Sequence, residues 1–377
     1  MAKTTITIGS RAQAETLFTY PNDGHEAQSL EETIKHYVSD SLDREAVGSF
    51  AVAVHIKNET VTLEIEHISA DIISAISKRY RKFFQLGASG HEAVQEFQKT
   101  GKWSESWKFL LPLGLPLEYA KAVEIMDFPP LSLIKKQDYL NSKTTNRWWE
   151  LLTLNGVPKE ELARYSCIVD IVPVAAPASD GKNLDQSGIY EGPFDSYSIP
   201  LLELFSDQSG SSDRRPLIAL GLPIRKWIER LWGTSLNILD VATIKIFGTE
   251  NSSVIASNHP SFFFYAASAY KGTPDADRKN LAAGLAVMKQ DIVAAAWHAE
   301  IGRNPQSDPT ATLAQVRNKW ANRESELLEL VRKQAGIPKP LAIELEIAEL
   351  RDFEPTPEEL QRLEMEFHEG IGVSNAE

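Results

Sequence analysis

The chain has a single cysteine, Cys167, among its 377 residues. One thiol excludes an internal disulfide framework, a CxxC redox pair, and a four-cysteine zinc or iron–sulfur site. No apolar run approaches the roughly 20 residues needed to span a bilayer. The opening stretch MAKTTITIGS lacks the apolar region of a secretory signal. We therefore expect a soluble, cytoplasmic protein without membrane contact. Basic residues are also in deficit. Net charge is −13, which argues against a broad nucleic-acid-binding coat. Eleven acidic and three basic residues fall between Gly336 and Glu377, a net of −8, so the other 335 residues carry only −5. A local cationic groove on the body of the protein remains compatible with that balance.

The common catalytic signatures are missing too. There is no GxGxxG after a strand, no GxxxxGK[ST] phosphate loop, no GxSxG elbow and no HExxH. His25, His91 and His298 have no partner at metal-ligand spacing. No cofactor is expected.

What is present is an ordinary globular composition, 42% hydrophobic and 24% charged, at a length that suits two domains or one with extensions. Residues 1–102 carry the pattern of an α+β module. SFAVAVHI and TVTLEIEHI flank KNE as a hairpin, and SADIISAISKRYRKFFQLG reads as a helix capped by Ser69 or Asp71 and stopped at Gly87. Lys78, Arg79, Arg81 and Lys82 on that helix form either a solvated surface or a nucleic-acid face. Residues 103–304 alternate short apolar runs with helical segments, the pattern of an α/β fold with a parallel sheet and crossover helices. Residues 305–377 form a helical extension with an acidic tail. One helix is expected over DPTATLAQVRNKWANRESELLELVRKQAG, capped by Asp308 or Thr310, and a shorter one over TPEELQRLEMEFHEG.

In open α/β sheets, chemistry collects beyond the carboxyl ends of the strands. Three predicted strand ends carry unusual loops: IMDFPP with Asp127, CIVDIVPVAAP with Asp170, and ASNHPS with Asn258, His259 and Ser261. Carboxylate, histidine and small loop residues can meet there in one crevice.

The order of these segments, from Ala122 to Gly302, resembles the uracil-DNA glycosylase superfamily. RPLIALGLPIRKWI looks like that family's strand–glycine–helix segment, VIASNHPSFF like its His-Pro-Ser motif, and Asp291 stands where its last helix often holds an aspartate. The resemblance implies a three-layer α/β/α domain around a central, mostly parallel four-stranded sheet. It implies that Asp127 positions the attacking water and His259 stabilises negative charge on the departing base. It further implies that Pro260 and Ser261 pinch the DNA backbone, Asp170 reads the base, and Phe128 stacks on it. The chain departs from the family in the acidic motif, where Ile125-Met126 replace a glycine-rich start.

Chemistry supports the same roles. A carboxylate can stabilise an oxocarbenium-like sugar, and a neutral imidazole can donate to the base oxygen. Base removal from a duplex requires flipping, and apolar side chains wedge into DNA elsewhere. Phe262, Phe263 and Phe264 are candidate wedges, the alternative being core packing of the first helical turn. A carboxylate at position 170 suits the exocyclic amine of cytosine rather than uracil. Plain cytosine cannot be a target in the host genome, so a modified cytosine is expected. Within the superfamily the chain looks most like the bacterial anti-phage glycosylases that excise glucosylated hydroxymethylcytosine, the base carried by phages of the T-even type. The partner so implied is double-stranded phage DNA. The polar stretch VPVAAPASDGKNLDQSGIYEGPFDSYS, with Asp180, Asn183 and Tyr190, either holds the sugar or is a surface loop. Alternatives are a uracil or mismatch glycosylase of base-excision repair, and a catalytically silent DNA-binding relative.

Overall fold

A computed structural model describes residues 3–18, 29–32, 34–35, 38, 51–66, 70–109, 121–127, 143–177, 180–206, 215–247, 250–337 and 343–369. The amino-terminal part is a three-stranded antiparallel sheet. β1 (Lys3–Ser10) pairs with β3 (Thr60–Glu66), which also pairs with β2 (Ala51–Lys57). The expected hairpin is present. Its turn is Asn58-Glu59, both with positive φ, the backbone shape that matches strand twist in a two-residue connection. Val61, Leu63 and Ile65 alternate onto a buried face, joined by Ile6 and Ile8 of β1.

Helix α1 (Arg11–Phe18) follows β1, and the long helix α2 (Ala70–Gln98) crosses the sheet. The expected stop at Gly87 does not occur, because the apolar face continues through Val94 and Phe97 and outweighs the weak propensity of a glycine. Gly90 has a packing reason: a Cβ there would lie 2.6 Å from the Tyr197 ring. Arg81 and Lys82 are engaged within the protein, Arg81 donating to the Thr7 carbonyl and Lys82 lying 3.8 Å from Glu203. The side chains of Lys78 and Arg79 lie outside the described residues.

The second sheet has five strands in the order β6-β5-β8-β10-β9, from β5 (Ala122–Met126), β6 (Ser166–Asp170), β8 (Leu217–Leu220), β9 (Val241–Phe247) and β10 (Glu250–Ser257). The first four are mutually parallel. The fifth, β9, folds back antiparallel on β10 and makes the sheet five-stranded rather than four-stranded. It alternates buried Ile244 and Ile246 with exposed Thr243 and Lys245, as a half-covered edge strand does. The inner strands β5 and β8 are buried along their whole length.

Helices cover both faces. Val123, Ile125, Val169, Leu217 and Ala219 pack with α6 (Asp195–Ser206) and α7 (Leu222–Trp232). The same cluster continues into the amino-terminal sheet, so the hydrophobic core runs across the expected boundary at residue 102. Ala122, Met126, Ile218 and Ile255 face α3 (Lys143–Leu154) and α9 (Ala276–Arg303). Glu124 is buried on this second face. Trp148 Nε1 donates to it at 3.1 Å, and His298 Nδ1 lies 3.2 Å from the same oxygen. Burial alone pushes the His298 imidazole down to about 3, so that contact is not an ion pair at neutral pH.

The remaining elements complete the covering. β4 (Lys108–Phe109) pairs with β7 (Val174–Ala175), and α4 (Leu162–Tyr165) leads into β6. The polar stretch after β6 is structured, containing β7 and α5 (Gly181–Ser187). Short α8 (Phe262–Ala266) follows the His-Pro-Ser corner. The helix expected after Asp308 is two helices, α10 (Pro309–Ala321) and α11 (Glu324–Ala335), because a break at Asn322-Arg323 lets Leu313, Val316, Leu327 and Val331 all join the core beneath them. Asp308 is the cap, accepting from Ala311 N. α12 (Ile343–Leu350) and α13 (Pro357–His368) end the described chain, α13 opening on a Thr356–Glu359 capping box. No helix among the described residues is long and apolar enough to cross a membrane.

Gly90→Ala tests the α2–α6 contact. The added methyl overlaps the Tyr197 ring, so urea unfolding should show a loss of about 1–3 kcal/mol despite the better helix propensity of alanine.

Candidate functional site

The chain runs from β5 to β6 on one side, then returns to β8 on the other side of β5. The order reverses between β5 and β8, and such a switch point opens a crevice beyond the carboxyl ends. Asp127 is the first residue past β5 and Gly221 the first past β8. Asp170 ends β6, and Asn258 and His259 follow β10. Asp170, Asp127, Gly221 and His259 therefore stand along one rim in strand order.

The carboxylate end is held by backbone pairing. Ile171 N donates to Met126 O and Val172 N to Asp127 O, so the two loops leave the sheet side by side. Both aspartates are 7% exposed. The Tyr190 hydroxyl donates to Asp127 Oδ2 at a long 3.5 Å. Burial, then the charges of Asp127, Asp185 and Asp170, raise the Tyr190 phenol well above its ordinary value. It stays a proton donor to Asp127.

His259 sits at the other end, half-buried but with enough protein packed around it to shed most of its hydration. Burial lowers its pKa; the Asp127 charge works against that shift and the Arg147 charge adds to it. The ring is therefore neutral at pH 7. Its Nδ1 accepts from Ser261 N at 3.2 Å, which leaves the proton on Nε2. The corner thus presents a neutral imidazole N–H donor on the same rim as a carboxylate.

The corner is bolted from below. Arg147, on α3, forms a fully buried 2.7 Å ion pair with Asp291, on α9, and its guanidinium also donates to the Pro260 carbonyl at 3.3 Å. Asn258 Nδ2 donates to Asp291 Oδ1 and Gln290 Oε1, each at 2.9 Å. Burial raises the Asp291 pKa, with Arg147 and Asn258 pulling the other way. Ser261 and Thr144 share a hydroxyl–hydroxyl hydrogen bond.

Several expected site residues are placed elsewhere. Phe262 and Phe263 are 1% and 0% exposed. Phe263 lies under the Arg147 guanidinium, 4.4 Å from ring centre to Cζ, and Phe262 packs on Phe367. Neither is a DNA wedge in this conformation, because the start of α8 turns both rings into the core. Asn258 is 3% exposed and its amide is committed to α9, so it braces the corner. Asp180 accepts from Trp107 Nε1 and Ser106 Oγ, which fastens the start of α5. Asn183 is exposed on α5. Pro260 is buried. Asp291 lies in the middle of α9, since that helix begins at Ala276. Phe128 lies outside the described residues.

Four contributors were not foreseen. Arg147 carries no local signal of its place under the His-Pro-Ser corner. Gly221 has φ +96°, and a Cβ there would come within 3.2 Å of His259 Cβ and 3.3 Å of His368 Cε1. Only the strand–Gly–Leu–Pro punctuation of its segment hinted at this close approach. Phe367 and His368 come from the far end of the chain, with no local signal.

Among the described residues, no group of three or more His, Cys, Asp or Glu is arranged to hold a metal ion. No protein-family model matches the chain, and no curated protein or solved structure is similar enough to count as a match.

The Arg147–Asp291 pair makes a quantitative prediction. Arg147→Met or Asp291→Leu alone leaves a buried charge unpaired and should cost about 3–5 kcal/mol in urea unfolding. The double variant should cost clearly less than the sum of the two, and strict additivity would show that the pair is not coupled.

Proposed function

We propose that the protein is a DNA glycosylase that flips out a modified cytosine and hydrolyses its N-glycosidic bond. Its substrate is glucosylated hydroxymethylcytosine in phage DNA, and its product, the abasic site, disables the invading genome. The observation that carries the reading is the pairing of Asp127 with a neutral, Nε2-protonated His259 across a topological switch point. The segment order that resembles the uracil-DNA glycosylase superfamily supports it.

The chemistry follows from those groups. Departure of the base leaves positive charge on the sugar and negative charge on the base. The Asp127 carboxylate stabilises the first, orients water toward the anomeric carbon, and takes the proton that water sheds as the C–O bond forms, later giving it back to solvent. His259 donates from Nε2 to the base oxygen as charge grows there, with no proton to lose first. Tyr190 steadies Asp127 by hydrogen bonding. Asp170, at the neighbouring strand end, accepts from the cytosine N4 amine. Ser261, half-buried at the corner, is the side chain that meets the DNA backbone, and buried Pro260 stiffens the turn behind it. Unstacking the target base is met by the binding energy of the flipped nucleotide in the crevice.

Incubation with T-even phage DNA, beside uracil-containing DNA, tests this by mass identification of the released base. We expect glucosylated hydroxymethylcytosine from the first and nothing from the second. Asp127→Asn and His259→Ala should each lower the single-turnover rate by about 10²–10⁴-fold. Protonating His259 would put a hydrogen on Nδ1 against the Ser261 N–H. Because its folded pKa is lowered, activity should hold as pH falls through 6.5 and decline only below that. Release of uracil alone would replace the substrate assignment. Full activity in Asp127→Asn would remove the mechanism.

A further inference from the structure

The carboxyl-terminal extension is strongly acidic, with a net charge of −8 from Gly336 onward. Its last described helix packs against the candidate site. Phe367 lies 5.7 Å from the His259 ring, 5.8 Å from Phe262 and 5.9 Å from Tyr265, centroid to centroid. His368 Nε2 accepts from Leu222 N at 3.3 Å, the first amide of α7. The absence of a side chain at Gly221 makes room for that imidazole.

Two further contacts fix the helix. Glu364, 4% exposed, pairs with Arg225 of α7, and Glu366 accepts from the Tyr265 hydroxyl at 3.1 Å. Leu363 is 2% exposed in the core. A displaceable flap needs a weakly held inner face, whereas this one combines a buried ion pair, an aromatic cluster and a capped start.

We propose that α13 is a fixed wall of the candidate site, with Phe367 and His368 keeping water off His259 and holding its ring in the orientation in which Nδ1 accepts from Ser261. These two are positioning residues; they act through His259. The charged and titratable groups around the pair are Asp127 from the end of β5, Arg147 from α3, and Arg225 and Lys226 from α7. Burial is the largest cause of the lowered pKa of both His259 and His368. Removing the wall admits water, favours the charged imidazole, and moves the His259 titration upward.

The shielding itself rests on geometry; its effect on rate rests on the glycosylase reading. The test is a pH titration of His259 in the full-length, ¹⁵N-histidine-labelled chain by long-range ¹H–¹⁵N spectra. Phe367→Ala should raise the His259 midpoint relative to wild type, and the acid limb of the base-release profile should move up with it. Phe367→Leu, which restores apolar cover, should return both toward wild type. His368→Ala, which trims the wall from the Gly221 side, should also raise the midpoint and serves if Phe367→Ala does not fold. An unshifted midpoint in the folded variants overturns the inference, as does a Phe367→Leu value no nearer wild type than Phe367→Ala. A shifted His259 without any base release counts against the functional reading alone. Base release with an unshifted His259 counts against this inference alone.

Discussion

The buried pair between Arg147 and Asp291 is the contact on which the candidate site depends. It joins α3 to α9 across the sheet's second face. Through the Pro260 carbonyl and the Asn258 amide it also fixes the backbone on both sides of His259. Two charges out of water are costly unless their hydrogen-bonding capacity is used, and here much of it is used on the corner. The arrangement trades stability for position. His259 needs a set ring orientation more than the core needs another apolar contact.

The rim then divides into two ends of opposite character. Asp127 and Asp170 concentrate negative charge at β5 and β6, moderated by the Tyr190 phenol. His259 presents a neutral donor at β10, shielded by aromatic packing. A reaction that separates positive charge on one fragment from negative charge on the other fits such a polarised crevice. The fold supplies the separation, because parallel strand ends are spaced by the sheet itself.

Much of this arrangement was legible in the sequence, though unevenly. The short apolar runs of the inner strands and the Asp308 cap are local features, and local chemistry marks them. The strand-end positions of Asp127, Asp170 and His259 followed from the same reading. What escaped were decisions made by tertiary packing. Gly87 and Gly90 do not stop α2, because the helix continues to find core on its far half. Phe262 and Phe263 are indistinguishable from wedges as letters, and only the turn into α8 sends them inward. The edge strand β9 is too polar on one side to announce itself. Arg147, Gly221, Phe367 and His368 act through partners at least 38 residues distant, and a single sequence carries no sign of such pairings.

The most direct measurement is a structure of the Asp127→Asn variant bound to a duplex carrying one glucosylated hydroxymethylcytosine. The account predicts the flipped nucleotide in the crevice between β5 and β10. Its anomeric carbon should face residue 127, its N4 amine should reach Asp170, and its base oxygen should lie within hydrogen-bond reach of His259 Nε2. DNA bound on another face, or a base that leaves His259 untouched, would contradict it.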